Sequence, residues 1–249
     1  MNKRIIAIFA LLLFVLNGYG QLSWNVKAGM NMSKITGYGD KNMKPGYQFG
    51  IGMDYYFTKH WGIQPSLMII SKGDKNRGVF IHNDYPIPSA DGTGYGGYGG
   101  YGGYYGYYQP NATFNSTQNR MYLEMPLMLA YRFNLSRTMK FVINGGGYIS
   151  YGVGGKWKNE ITLIYFDDSF DYGSLLENPT MRMDGSSFSE RTHKFDAGLG
   201  AGTSMEFKNR YILSLFGEWG LKNSYKSIYP QSSMRERNQT YGLSLGYKF

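Results

Sequence analysis

Three histidines and no cysteine limit the chemistry that this 249-residue chain can perform near neutral pH. Nucleophilic or acid–base catalysis needs a hydroxyl or imidazole with a carboxylate partner in hydrogen-bond reach. His193, with Asp196 or Glu190 and a nearby serine, is the one candidate grouping; His60 and His82 lie in separate segments. This is a poor catalytic set, and the expectation is a protein that is not an enzyme. Asp167-Asp168-Ser-Phe-Asp171, with Glu177 and Asp184 beyond it, offers oxygen ligands. These acids lack EF-hand spacing, so they read as solvated loop acids, with no metal and no cofactor.

A second chemistry is recognition by flat rings. Residues 94–108 interleave glycine with Tyr95, Tyr98, Tyr101, Tyr104, Tyr105, Tyr107 and Tyr108, in part as Tyr-Gly-Gly units. Tyrosine presents amphipathic area with few rotatable bonds, while the glycines oppose a helix and make ordering costly. The segment reads either as an external arm that grips a sugar, polymer or protein, or as an unselected repeat expansion.

A third set consists of polar residues placed every second position among apolar ones. Lys27, Asp54, Glu124, Arg132, Lys194, Asp196, Glu218 and Lys248 fall on polar strand faces, as do Gln64, Lys140, Asn144 and Glu206. Acidic and basic members of this set are equal in number. That balance suits salt bridges filling a closed interior better than a channel lining of one sign.

The elements that must position these residues are strands. The chain's last nine residues set Tyr241, Leu243, Leu245, Tyr247 and Phe249 on one face against Gly242, Ser244, Gly246 and Lys248 on the other. The same period-2 alternation recurs over about Trp24–Met32, Tyr47–Phe57, Trp61–Ser71, Arg120–Phe133, Lys140–Gly152, Thr192–Phe207, Tyr211–Leu221 and Gln239–Phe249. The intervening lengths run roughly 14, 3, 48, 6, 39, 3 and 17 residues, the alternation of short periplasmic turns and long outer loops found in membrane barrels. Aromatics at strand ends, among them Trp24, Tyr55, Trp61, Tyr131, Trp219 and Phe249, suit interfacial girdles.

Lys3 and Arg4 precede the apolar run Ile5–Leu16, and Gly18-Tyr19-Gly20 supplies small residues before Gln21. This is the pattern of a secretory signal peptide over 1–20, which leaves 21–249 as the mature domain. A net charge of +9 from scattered residues gives no nucleic-acid footprint. The reading is all-β: an eight-stranded transmembrane antiparallel up-and-down barrel in the cell outer membrane, with a long Tyr/Gly-rich loop over 72–119. Its expected partners are outer-membrane lipid, lipopolysaccharide and other envelope proteins. The competitor is a ten-stranded barrel, with an extra hairpin from 78–82 and 113–117.

Asn25-Val-Lys27-Ala-Gly29-Met-Asn31, Tyr122-Leu123-Glu124-Met125-Pro126 and Gly198-Leu-Gly-Ala-Gly202 resemble the small PorT-like outer-membrane barrels of Bacteroidetes. The family's first strand typically reads Gly-x-Lys-x-Gly-x-Asn, so Asn25 departs from it. The resemblance implies a non-enzymatic barrel with a structural or assembly-accessory role, Lys27 and Glu124 pairing inside. The composition leaves two alternatives, adhesion through the Tyr/Gly loop and small-solute transport. An unboiled sample should migrate differently from a boiled one in detergent gels, and mass spectrometry should place the mature N-terminus at Gln21. Recovery in the soluble periplasm without a heat shift would remove the barrel reading.

Overall fold

The computed structural model describes residues 21–37, 42–80, 111–164, 180–188, 192–226 and 235–249. Among the described residues nine strands run in chain order: β1 (Gln21–Thr36), β2 (Asn42–Tyr56), β3 (Trp61–Phe80), β4 (Asn111–Asn134), β5 (Met139–Ile164), β6 (Thr180–Ser186), β7 (Phe195–Phe207), β8 (Tyr211–Gly220) and β9 (Arg237–Lys248). Eight close a ring in the order β4-β3-β2-β1-β9-β8-β7-β5, completed by β4 pairing with β5. Every pairing is antiparallel, and β1 joins β9 from Asn25↔Lys248 to Thr36↔Arg237. The expected up-and-down barrel is therefore present, with the ring size expected.

The alternation sorts side chains as lipid requires. Along β1, Trp24, Val26, Met30 and Met32 are exposed while Asn25, Asn31 and Ser33 are buried. Along β4, Leu123, Met125, Leu127 and Leu129 face outward against buried Tyr122 and Glu124. Closure leaves the ring with no free edge, the condition for backbone in a membrane. Edge-on ring contacts join Trp61 to Tyr131, Tyr131 to Phe133, and Tyr247 to Phe249. They form a girdle beside the short turns. Tyr55 differs from expectation, being only 6% exposed.

The short turns are held locally. Thr58 Oγ1 accepts from the His60 and Trp61 amides, and Ser136 Oγ from those of Thr138 and Met139. Lys208 and Asn209 both have positive φ (49° and 57°), the mirror-image geometry that matches strand twist. Pro65 leaves a gap in the β2–β3 ladder between Gly52↔Ser66 and Tyr55↔Ile63, without a register slip.

Above the apolar belt the strands run longer than their alternation suggested. Residues 78–80 and 113–117 continue β3 and β4 and pair with each other, as in Gly78↔Phe114. They lengthen the hairpin and add no strand to the ring. Of the loop expected over 72–119, residues 72–80 and 111–119 belong to β3 and β4, and 81–110 lie outside the described residues. β5 likewise continues past Gly152 and returns as β6, paired from Lys156↔Ser186 to Thr162↔Thr180. Polar alternation, as in Ser116, Gln118 and Arg120, carries little hydrophobic periodicity, so these extensions read as loop.

A one-residue bulge governs this extension. Register slips between Met121 and Tyr122, whose partners are Gly154 and Gly152; Val153 is the extra residue. Because strand faces alternate, the slip places Trp157 and Asn159 on the face of Gln118 and Ser116, their ladder partners. Lys156 and Lys158 go to the other side. Gly155 closes the bulge at φ +138, where a Cβ would collide with the Asn119 carbonyl. Gly155→Val should destabilise the barrel by about 1–3 kcal/mol, read as a lower urea midpoint in lipid vesicles. Gly154→Val should be tolerated, since nothing lies within 4 Å of a Cβ there.

Candidate functional site

The inward faces build a charged interior in three tiers. Nearest the short turns, Lys248 Nζ bridges Asp54 Oδ2 at 2.7 Å and Glu206 Oε1 at 2.6 Å. Gln64 donates to Asp54 (2.9 Å) and accepts from Asn144 (2.8 Å). Beside them, the Arg132 guanidinium lies 3.9 Å from the centre of the Tyr56 ring and donates to the Lys59 carbonyl.

The middle tier centres on Lys72, which is fully buried. Its Nζ lies 2.5 Å from Glu124 Oε2, 2.9 Å from Glu218 Oε2 and 4.3 Å from the Tyr148 ring centre. Asp196 accepts from Asn238 (2.7 Å) and from the Tyr148 hydroxyl (3.3 Å). Glu218 stands on β8, four places from β3 around the eight-membered ring. The Lys72–Glu218 pair therefore spans the lumen between opposite walls. At the outer tier, Arg120 donates to Gln118 (2.8 Å) and Ser224 (3.1 Å) and pairs with Glu236 at 3.4 Å.

Of the residues expected inside, Asp54, Glu124, Arg132, Asp196, Glu218 and Lys248 are buried. Lys27 borders a cavity of about 90 Å³ together with Gln64, Glu124 and Glu218. It makes no direct ion pair among the described residues. Lys194 is a correction: it is exposed, because β7 begins at Phe195 and the chain bends just before it. Lys72 and Arg120 were missed as interior groups. Their parity on β3 and β4 follows from Gln64 and Glu124, a usable signal once the strands are allowed to continue.

Among the described residues, no hydrogen bond joins the His193 ring to Asp196. Asp196 is committed to Asn238, Tyr148 and the Ala197 amide, and the His193 amide donates to the Ser224 carbonyl. His60 Nδ1 bonds the Arg132 carbonyl at the turn end. His82, Glu190, Glu177, the acids at 167, 168 and 171, and the tyrosines Tyr95 to Tyr108 lie outside the described residues.

Residues 17–226 match the family described as outer membrane protein beta-barrel domain. The chain belongs to that family. It is an outer-membrane barrel, with lipid as the surroundings of its apolar belt. The fold is similar to the attachment invasion locus protein Ail of Yersinia pestis, crystallised with the heparin analogue sucrose octasulfate. That match has 12% identity and a TM-score of 0.34, covering 92% of this chain and 99% of that one. It is also similar to Neisserial surface protein A (12% identity, TM-score 0.38, 92% and 99% covered). A third similar structure is OprG of Pseudomonas aeruginosa (11%, 0.29, 93% and 98%). No curated protein matches the chain.

Lys72→Met should destabilise the barrel by about 3–5 kcal/mol, because it leaves two lumenal carboxylates without their cation. Adding Glu124→Gln and Glu218→Gln should restore most of that loss. Urea unfolding in vesicles checks both.

Proposed function

We propose that this barrel works by protein contact as a closed, non-enzymatic scaffold of the envelope, and that the contact runs through its outer sheet. The observation that carries this reading is the open sheet above the apolar belt. Among the described residues, β3 beyond Lys75 pairs only with β4, and β6 pairs only with β5. A free edge exposes backbone donors and acceptors that another strand can complete. On β6, Met181 and Met183 are 57% and 46% exposed, and methionine adapts to varied partner surfaces.

The interior supports a scaffold over a pore. Lys72 and Lys248 each tie carboxylates from different walls, and eight strands leave room for little beyond side chains. The motifs shared with PorT-like barrels support the same reading. Asn25, Asn31, Tyr122 and Glu124 are all buried, so those motifs serve packing. Exposed Lys156 and Lys158, just above Tyr151 and Val153, favour lipopolysaccharide phosphates as a further contact. The mature chain beginning at Gln21, after cleavage of a 1–20 signal peptide, belongs to the same proposal.

Crosslinking in native membranes, compared across three chains, tests this. A variant lacking residues 92–110 should keep its protein partners, and Met181→Lys with Met183→Pro should lose them. Loss on removing 92–110 would move the contact to the tyrosine arm, and retention in the β6 variant would remove the sheet edge from consideration. Planar bilayer recordings should show no steady conductance.

A further inference from the structure

The outer mouth of the barrel holds a cavity of about 410 Å³ whose lining includes Trp157, Tyr225, Gln118, Asn159, Arg120 and Glu236. Its size falls within the roughly 300–1,000 Å³ typical of small-ligand sites. The residues come from separate elements. Gln118 and Arg120 stand on β4, Trp157 and Asn159 on β5, and Tyr225 and Glu236 flank the segment that leads into β9. Arg120, Gln118 and Glu236 of the outer tier form part of its lining, and no residue of β6 does.

We propose that this cavity binds a neutral saccharide. Two rings stand in its wall, and Trp157 lies against Gly185, where a Cβ would come within 2.9–3.0 Å of the indole. Such rings accept the flat C–H face of a sugar. Around them the chemistry is amide and hydroxyl, which answers a ligand rich in hydroxyl groups. Arg120 is 1% exposed, and its Nε has no hydrogen-bond partner among the described residues. A buried donor of that kind calls for an acceptor. Glu236 balances the Arg120 charge, so the site favours a neutral polar acceptor over an anion. The Val153 bulge is what turns Trp157 and Asn159 to this side. In an unbulged strand Lys156 and Lys158 would face it and make it an anion site.

The test uses the full mature chain in detergent, titrated with neutral gluco-, manno- and chito-oligosaccharides and with a sulfated glucan as the charged counterpart. Tryptophan fluorescence and calorimetry supply the readouts. At least one neutral oligosaccharide should bind, with little dependence on salt. Trp157→Ala and Asn159→Ala should each weaken it at least ~10-fold, while Trp157→Phe retains most of the affinity. The heat-dependent gel shift of all three variants should be unchanged, which separates loss of the site from loss of the fold. Binding confined to the sulfated glucan, binding unaffected by Trp157→Ala and Asn159→Ala, or no binding by any member of the panel would overturn the proposal. Partner crosslinking by Trp157→Ala reports separately on the sheet-edge contact, so failure of either reading is distinguishable.

Discussion

A fully buried lysine holds the two walls of this barrel together. Lys72 sits at the centre of a lumen too narrow for bulk solvent and draws Glu124 from its neighbouring strand and Glu218 from the opposite wall. Charges taken out of water are tolerated only when paired at short range, so each of these groups fixes the position of the others. Lys248 repeats the device nearer the turns with Asp54 and Glu206. The usual arrangement of a soluble protein is inverted, with specificity inside carried by ions and the apolar area committed to lipid.

This inversion explains why much of the fold is legible in the residues. Lipid requires an uninterrupted apolar face, so Leu123, Met125, Leu127 and Leu129 reveal β4 directly, and the same holds for the final strand. Parity puts Asp54, Glu124, Arg132, Asp196, Glu218 and Lys248 on inward faces, and all six are buried. Legibility ends where the membrane does. Over 72–78 and 113–119 both faces are largely polar, so alternation loses its hydrophobic contrast and strands look like loop. Lys72 was lost for that reason. Lys194 failed for the opposite one: its parity was right but the chain had not yet entered the strand.

The outer mouth was illegible for a further reason. Trp157, Tyr225 and Arg120 are brought together by long-range pairing and by the slip at Val153, and no spacing along the chain announces it. A bulge is a single extra residue against an unbroken partner strand. It becomes visible only when β4 and β5 are laid side by side. The same slip separates the lysine pair above the belt from the polar wall of the cavity, giving one strand two unlike surfaces.

Alternation also bears on the journey before folding. A chain bound for the outer membrane must first cross the inner one, where any long apolar stretch risks lodging as a helix. Interleaving Lys27 and Asn31 with Val26 and Met30, or Glu124 with Leu123 and Met125, dilutes every would-be span below that threshold. No described helix is long and apolar enough to cross a membrane. The interior charges are thus a form of disguise in transit: they keep the hydrophobic belt unreadable to one bilayer until pairing exposes it to the next.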